Sequence, residues 1–363
     1  MTQPTLEDAR ELSRWRPPLG VLSVYLGFDP ADRGGAWRTE LRNGLDRVLE
    51  AHKEDEHDRR VALRATAKRL TERFEDGDLR PPPRGEVGFV EVAEKEGTEH
   101  WFGAGVAPDA CVELAPEPVM APLLELRGRG TARAIVLLSA ERVRLLSCDE
   151  GAIEEIEDWE LSITSLDWRE RKAQSASNPA RAQGVSSSGH DQFDERLEHN
   201  RQRFLGECGG FVADRVAKDG IGGAIAFGPP RDFEGFEAGF GSPQAELIHG
   251  SEADLISAPK GKVGEVAAEA IARLDEERDR AMVERAMAEV KGGSRGASGP
   301  QEIGEALVEG RVDHLVLDAG FDRDGAEPLV RGALASSAQV TVVRGEAAAT
   351  LAEAEGVAAI LRY

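Results

Sequence analysis

Three β-strand candidates in close succession place the strongest constraint on the fold. They are ARAIVLLS (132–139), RVRLLSC (142–148) and AIEEIEDW (152–159), and only short connectors separate them. Parallel neighbours need long crossover connections, whereas antiparallel neighbours can be joined by a few residues. The sequence therefore predicts an antiparallel meander at the start of a sheet.

A long polar loop follows the meander. Between residues 169 and 190, Val185 is the only valine, leucine, isoleucine or phenylalanine, so the segment cannot bury itself. It carries one acidic residue, Glu170, on a chain whose formal net charge is −22. Its four basic residues are Arg169, Arg171, Lys172 and Arg181. A structureless loop of this length is usually either functional or disordered, and its charge suggests a partner with phosphates.

Apolar residues then recur at helical spacing from Phe193 to Val216, which predicts an amphipathic helix. Gly209 and Gly210 interrupt this stripe, and each costs a helix about 1 kcal/mol relative to alanine. We therefore expect a kink or a close helix contact there. Further along, the sequence predicts strands over 222–228 and 253–258 with a Gly- and Phe-rich loop between them, and a helix over 262–290.

The order meander, helix, strand, helix is typical of a ribonuclease-H-like sheet. A nuclease of that fold needs carboxylates on its central strands to hold metal ions, and ARAIVLLS carries none. His52 and His57 lie five residues apart and so do not share a helix face. We therefore predict neither a metal site nor a cofactor.

Two further domains flank this sheet. The first 128 residues suggest an α+β domain, with strands over 21–28, 86–92, 101–106 and 111–114 and two helices over 37–48 and 61–74. After a linker-like stretch, KGGSRGASGP (291–300), helices and strands alternate to the C-terminus, which predicts a small α/β/α sandwich. The predicted domains are 1–128, 129–290 and 291–363.

Composition excludes several classes of protein. A net charge of −22 argues against a nucleic-acid binder that uses its whole surface, so any such contact must use local basic patches. Three widely spaced cysteines, Cys111, Cys148 and Cys208, fit buried thiols in a reducing cytoplasm. Neither a signal peptide pattern nor a long apolar run is present, so a cytoplasmic protein without a membrane partner is expected.

The order of these stretches resembles the archaeo-eukaryotic peptide-chain release factor and Pelota superfamily, in its bacterial and archaeal release-factor-like branch. The resemblance extends over essentially the full chain. It is carried by VLSVYLGFDP, ARAIVLLSAERVRLLSCDEGAIEEI, HDQFDERLEHNRQRFL with the following GGAIAFGPP, and EALVEGRVDHLVLDAG. It implies three domains with a ribonuclease-H-like middle domain, and partners on the ribosome.

The resemblance also implies a role for the loop that precedes the long helix. In release factors this loop carries Gly-Gly-Gln, which promotes attack of water on the peptidyl-tRNA ester. The glycines permit close backbone approach, and a backbone N–H can stabilise the oxyanion. When Phe193 is aligned with the aromatic residue at the start of the family's helix, Ser186, Ser187 and Ser188 stand in place of that motif. Gln183, next to Gly184, and Gln192 are the remaining candidate catalytic glutamines.

Other interpretations of the same residues stay open. Ser188-Gly189-His190-Asp191 matches the Ser-x-x-Asp capping box, which would satisfy the first free amides of the helix. A catalytic Ser-His-Asp triad is disfavoured because adjacent helical residues do not face one another. The four loop cations are either solvated or bound to RNA phosphates, and the resemblance favours RNA. In the first domain, the candidate RNA-facing cluster is Arg33, Trp37, Arg38 and Arg42, although Trp37 fits a core position better.

The leading hypothesis is a ribosome-associated factor of release-factor architecture that occupies the A site, in hibernation or rescue, without strong chemistry of its own. The partners implied are ribosomal RNA, P-site tRNA and a translational GTPase, with neither DNA nor a membrane. One alternative is an active peptidyl-tRNA hydrolase that uses Gln183 or Gln192. Another is a non-ribosomal binding or stress protein that reuses the fold.

Overall fold

The computed structural model describes residues 4–28, 35–75, 84–129, 133–149, 152–161, 186–219, 221, 223–241, 246–293 and 295–363. It is a mixed α/β structure with three separate β-sheets, so the fold class predicted from the sequence is confirmed. The chain divides into two compact units, one comprising residues 1–131 and 272–363 and the other residues 132–271. The three-domain division at residues 128 and 290 stays a prediction.

The first sheet is antiparallel, with strand order β3-β2-β1-β4. Its strands are β1 (Val21–Gly27), β2 (Gly85–Glu91), β3 (Glu99–Ala104) and β4 (Cys111–Ala115). The helices of this region are α1 (Leu6–Leu12), α2 (Ala36–Ala51), α3 (His57–Glu75) and α4 (Ala121–Arg129). The sequence predicted the four strands and the helices α2 and α3, whereas α1 and α4 were not expected.

Strand β1 supplies side chains to both faces of the first sheet. Leu22 and Leu26 point to the face that α2 and α3 cover, where they pack in one core with Leu63 and Leu70. Tyr25 points to the opposite face and belongs to a second core. This alternation follows from the two-residue period of a β-strand.

The second sheet forms the unit of residues 132–271, with strand order β7-β6-β5-β8-β9. Its strands are β5 (Arg133–Ser139), β6 (Arg142–Asp149), β7 (Ala152–Glu160), β8 (Gly223–Phe227) and β9 (Glu246–Ser251). Strand β6 is antiparallel to β5 and β7, and β8 is parallel to β5 and β9. The predicted meander and ribonuclease-H-like order are thus confirmed. The helices α5 (Ser186–Lys218), α6 (Pro230–Phe240) and α7 (Lys260–Gly292) follow in the chain.

Two predictions for this sheet are wrong. Residues 253–258 form a turn rather than a strand, because the Asp254 side chain accepts a hydrogen bond from the backbone N–H of Ile256 at 3.3 Å. Such an Asx turn competes with strand geometry, and the strand lies earlier, at β9. The Gly- and Phe-rich segment predicted as a loop is the helix α6, with Pro230 in its first turn.

The glycines of α6 face α5. A Cβ atom added to Gly209 of α5 would lie 2.8 Å from the backbone nitrogen of Phe240, and one added to Gly239 would collide with the carbonyl of Gly206. The expected close helix contact at Gly209 is therefore confirmed. Glycine lowers the helix propensity of both helices, but it lets their backbones approach each other closely.

The third sheet is formed by the last 68 residues and has the strand order β10-β13-β11-β12. Its strands are β10 (Gly296–Ser298), β11 (Val312–Asp318), β12 (Gln339–Val343) and β13 (Val357–Leu361). The accompanying helices are α8 (Pro300–Val308), α9 (Arg323–Ala335) and α10 (Gly345–Leu351). Residues 296–298, predicted as part of a linker, pair with β13. The sequence did not predict this strand because it has only three residues and one buried side chain, Ala297. So short a segment shows no hydrophobic periodicity.

Helices cover both faces of the third sheet. Leu315 and Leu317 pack on one face in a core that includes α8, α9 and residues of the first sheet. Val316 and Val343 pack on the other face with α10 and with Met287 of α7. The predicted α/β/α sandwich is therefore confirmed. In the described part of the chain, no helix combines the length and the apolar character needed to span a bilayer.

Candidate nucleic-acid interface

Most of the site predicted from the sequence lies outside the described residues. Arg169, Arg171, Lys172, Arg181, Gln183, Gly184 and Arg33 all belong to this group. The helix α5 begins at Ser186, so Ser188 and Asp191 both lie within its first turns. The side chains of Ser186, Ser187, Ser188, Gly189, His190, Asp191 and Gln192 lie outside the described set as well. The catalytic and capping roles proposed for these residues stay predictions.

Helix α5 is anchored to the second sheet by its later turns. Leu205, Cys208, Val212 and Val216 are buried in the core with β5 and β6. Among the described residues ahead of this stripe, Glu195 and Arg196 are exposed. The apolar periodicity of the sequence predicted this buried face correctly. Because the face packs on the sheet, it fixes the position of the helix that follows the basic loop.

The cysteines are consistent with structural thiols where their side chains are described. Burial raises the pKa of the Cys208 thiol to about 12, with a smaller contribution from Glu207. Burial also raises the pKa of Cys111, against the opposing influence of the Arg323 guanidinium. A thiol with a raised pKa is a poor nucleophile at neutral pH because little thiolate is present.

A groove between α2 and α3, here called the α2–α3 groove, is lined by several basic side chains. Arg42 from α2 and Arg64 and Lys68 from α3 contribute its cations. The remaining lining residues are Leu45, Asp46, Leu49, Ala67 and Thr71, and the cavity measures about 240 Å³. Arg64 and Lys68 are four residues apart, so one helix face presents both side chains to the groove.

The cations of the α2–α3 groove are largely uncompensated. Arg42 and Arg64 are exposed and have no ion-pair partner among the residues that the structure describes. The Lys68 ammonium lies 3.6 Å from the Glu72 carboxylate, and both side chains are more than half exposed, so this pair contributes little. Three cations face one carboxylate, Asp46, on a chain of net charge −22. Such a local excess attracts phosphate groups.

The residues predicted as an RNA-facing cluster separate into two kinds. Trp37 is buried, with its ring centroid 5.3 Å from Phe28 and 5.6 Å from Phe74 in edge-on packing. It is therefore a core residue, as its helical spacing indicated. Arg38 is exposed and its guanidinium carbon lies 4.4 Å above the Trp37 ring centroid, at the distance of a cation–π contact.

Sequence reasoning missed Arg64 and Lys68. The readable signal was the spacing of Arg60, Arg64 and Lys68, which repeats every four residues along α3. The signal is weak in the sequence because the charge run HKEDEHDRR (52–60), which overlaps the start of α3, is typical of a merely solvated surface. Only the packing of α2 against α3 shows that two of these cations line the same groove as Arg42.

The second sheet offers no described metal site for nuclease chemistry. Strands β5 and β8 carry no carboxylate in their sequences, RAIVLLS and GAIAF. Within the described ranges, no group of three histidine, cysteine, aspartate or glutamate side chains could hold a metal ion.

Comparison with known proteins gives a family match for the middle part of the chain. Residues 131–263 match the model of bacterial archaeo-eukaryotic release factor family 5. Among solved structures, the archaeal translation termination factor aRF1 is 20% identical over 100% of this chain and 99% of its own, with a TM-score of 0.28. Archaeal Pelota from a ribosome-bound model with ABCE1 is 14% identical over 100% of this chain and 95% of its own, with a TM-score of 0.42.

Dom34 from S. cerevisiae is 11% identical over 77% of this chain and 80% of its own, with a TM-score of 0.43. No curated protein sequence matches the chain. The family match spans the whole second sheet and the start of α7. The family match therefore relates residues 131–263, the region of the second sheet, to bacterial archaeo-eukaryotic release factor family 5.

Proposed function

We propose that this protein is a ribosome-associated translation factor that occupies the ribosomal A site, as a hibernation or rescue factor. The observation that carries the proposal is the match of residues 131–263 to a bacterial release factor family. The partners proposed from this relationship are ribosomal RNA, P-site tRNA and a translational GTPase that delivers the factor.

Occupancy is favoured over hydrolysis by the residues that stand in place of Gly-Gly-Gln. Ser186, Ser187 and Ser188 each carry a Cβ atom, which restricts the backbone conformations that glycine would allow. None of the three side chains is the amide that the family motif places at its third position. An active hydrolase would need Gln183 or Gln192 to supply that amide.

The α2–α3 groove is proposed as an RNA contact of the first sheet's domain. Its support is the charge excess of Arg42, Arg64 and Lys68 on a strongly acidic chain. Three phosphate contacts would change the slope of log K against log salt by about 2 to 3, because each neutralised phosphate releases counterions. The basic loop of residues 169–181 is proposed as a second contact.

The test is co-sedimentation of the purified protein with bacterial ribosomes at low and physiological salt. The wild type is compared with an Arg42→Ala/Arg64→Ala/Lys68→Ala variant. A matched control, Lys95→Ala/Lys218→Ala/Lys260→Ala, removes the same charge at exposed positions elsewhere. Saturable binding that the groove variant weakens, and the control variant leaves within about twofold, supports the proposal.

The same assay examines the basic loop and the alternatives. An Arg169→Ala/Arg171→Ala/Lys172→Ala/Arg181→Ala variant is expected to bind ribosomes more weakly. Absence of binding in every ribosome state would contradict both ribosomal hypotheses and favour a non-ribosomal role. Release of peptide from P-site peptidyl-tRNA, abolished by Gln183→Ala or Gln192→Ala, would instead establish the hydrolase.

A further inference from the structure

An exposed aromatic pair lies on the second sheet's unit. Phe211 of α5 is 58% exposed, although the other large apolar side chains that the structure describes on α5 are at least partly buried. Its ring stacks on Trp159 of β7, with the centroids 6.3 Å apart and the planes 21° from parallel. Trp159 is only partly buried. Aromatic residues exposed in this way are enriched at the energetic centres of protein interfaces.

Two glutamates of β7, Glu154 and Glu157, lie on the same face of the sheet as this aromatic pair. Trp159, Glu157 and Glu154 lie opposite Val143, Leu145 and Ser147 of β6, respectively. Directly opposite residues share a face, and Val143 and Leu145 belong to the core that α5 covers. Trp159 and the two glutamates therefore lie on the α5 side of β7. We call Trp159, Phe211, Glu154 and Glu157 the Trp159 platform.

The carboxylates on the two faces of β7 differ in how they are neutralised. On the opposite face, the Asp158 carboxylate forms a bidentate ion pair with the Arg142 guanidinium, with N–O distances of 2.9 and 2.6 Å. Glu155 on that face pairs with Arg144 at 2.6 Å. Glu154 and Glu157 on the platform are exposed, and neither has an ion-pair partner among the described residues. Within the described part of the chain, the platform thus combines stacked aromatic rings with two unpaired carboxylates.

We infer that the Trp159 platform binds an arginine-rich protein segment. A guanidinium group can stack on the exposed Phe211 ring while neighbouring arginines pair with the Glu154 and Glu157 carboxylates. No described strand pairs with the outer side of β7, which is an edge strand, so an extended segment can lie alongside it. The inference is independent of the proposed A-site role, because it rests on another surface and another class of partner.

Charge decides between a protein and a nucleic-acid occupant. Stacked aromatic rings also serve as platforms for single-stranded nucleic acids, but those sites combine the rings with a positively charged groove. Here Glu154 and Glu157, together with Asp214 one turn along α5 from Phe211, would repel phosphates. The nearby Arg215 is already paired with Asp219. The platform therefore favours a cationic partner.

The test uses a fluorescein-labelled peptide of alternating arginine and alanine, titrated with the intact protein by fluorescence anisotropy. Phe211→Ala is expected to weaken binding about two- to fivefold through loss of the cation–π contact. Glu154→Gln/Glu157→Gln is expected to weaken binding about threefold and to flatten the salt dependence. The control Glu94→Gln/Glu96→Gln removes the same charge at exposed positions between β2 and β3 of the first sheet, and it should leave binding unchanged.

Each remaining outcome contradicts the inference. If the wild type does not bind, or if the control variant weakens binding as much as the platform variant, then only the overall negative charge attracts the peptide. If Phe211→Ala binds as the wild type does, the aromatic pair is not part of the site. If a single-stranded RNA oligonucleotide binds in a Phe211-dependent way, the occupant is a nucleic acid. Thermal unfolding of each variant shows that the fold is retained.

Discussion

The carboxylate of Glu327 on α9 accepts a hydrogen bond from the backbone N–H of Met120 at 2.8 Å. It also accepts one from Ala121, the first residue of α4, at 2.9 Å. A partly buried carboxylate of the C-terminal sandwich therefore caps a helix that belongs to the first sheet's region. This contact and the shared core explain why residues 1–131 and 272–363 form a single compact unit.

Removing this cap should destabilise the unit. Glu327→Ala leaves two partly buried amide groups without this acceptor, and we expect a loss of about 2 kcal/mol in the free energy of unfolding. Urea denaturation followed by circular dichroism measures this loss. Glu346→Ala, at a side chain that is 91% exposed, is the control and should change the free energy of unfolding by less than about 0.5 kcal/mol.

The pH dependence of this site has a definite sign. Burial, the largest influence, raises the pKa of Glu327, while the hydrogen bonds from Ala121 and Met120 oppose it. A raised folded-state pKa means that the folded state binds the proton more tightly than the unfolded chain does. The stability of the wild type relative to Glu327→Gln should therefore increase as the pH falls from neutral through the folded-state pKa. A relative decrease over that range would show that the hydrogen bonds outweigh burial.

Two adjacent glycines of α5 should respond in opposite directions to alanine. A Cβ atom at Gly209 would lie 2.8 Å from the Phe240 nitrogen, whereas one at Gly210 would lie 3.7 Å from the Gly239 oxygen, an ordinary contact. Gly209→Ala should lower the free energy of unfolding by about 1–3 kcal/mol through overpacking. Gly210→Ala should raise it by about 0.5–1 kcal/mol through helix propensity. Equal effects in thermal denaturation would contradict the close helix contact.

The Arg323 guanidinium should control the reactivity of Cys111. It donates to the Cys111 sulfur at 3.0 Å and to the Glu113 carboxylate at 2.6 Å. Burial raises the pKa of Cys111, Arg323 lowers it and Glu113 raises it. Arg323→Ala should therefore raise the pKa and slow alkylation by iodoacetamide, and Glu113→Gln should do the reverse. The rates are measured against pH in a Cys148→Ser background, where the remaining thiol, Cys208, has a pKa of about 12.

The elements predicted well are those with a strong hydrophobic period. The stripe from Leu205 to Val216 and the buried run of β5 each identify an element without any knowledge of its neighbours. The wrong predictions have local causes. In α6, glycines required by the contact with α5 suggested a loop, and at residues 253–258 the Asp254 turn was mistaken for a strand.

The candidate surfaces were harder to predict because they combine residues from distant parts of the chain. Arg42 was identified from its helix, but Arg64 joins it only through the packing of α2 on α3. Phe211 and Trp159 are separated by the basic loop and half of α5, and neither sequence neighbourhood indicates that their rings stack. Helical periodicity places a residue on a face, whereas the element that this face meets is decided by the tertiary fold.

The measurement that tests the central claim most directly is competition for the A site. Ribosomes with a filled P site and an empty A site are saturated with the protein, and binding of A-site aminoacyl-tRNA is then measured. The account predicts that the protein blocks A-site tRNA binding and leaves P-site tRNA in place. It also predicts that the Arg42→Ala/Arg64→Ala/Lys68→Ala variant competes less well. Undiminished A-site tRNA binding to ribosomes that carry the protein would contradict occupancy of the A site.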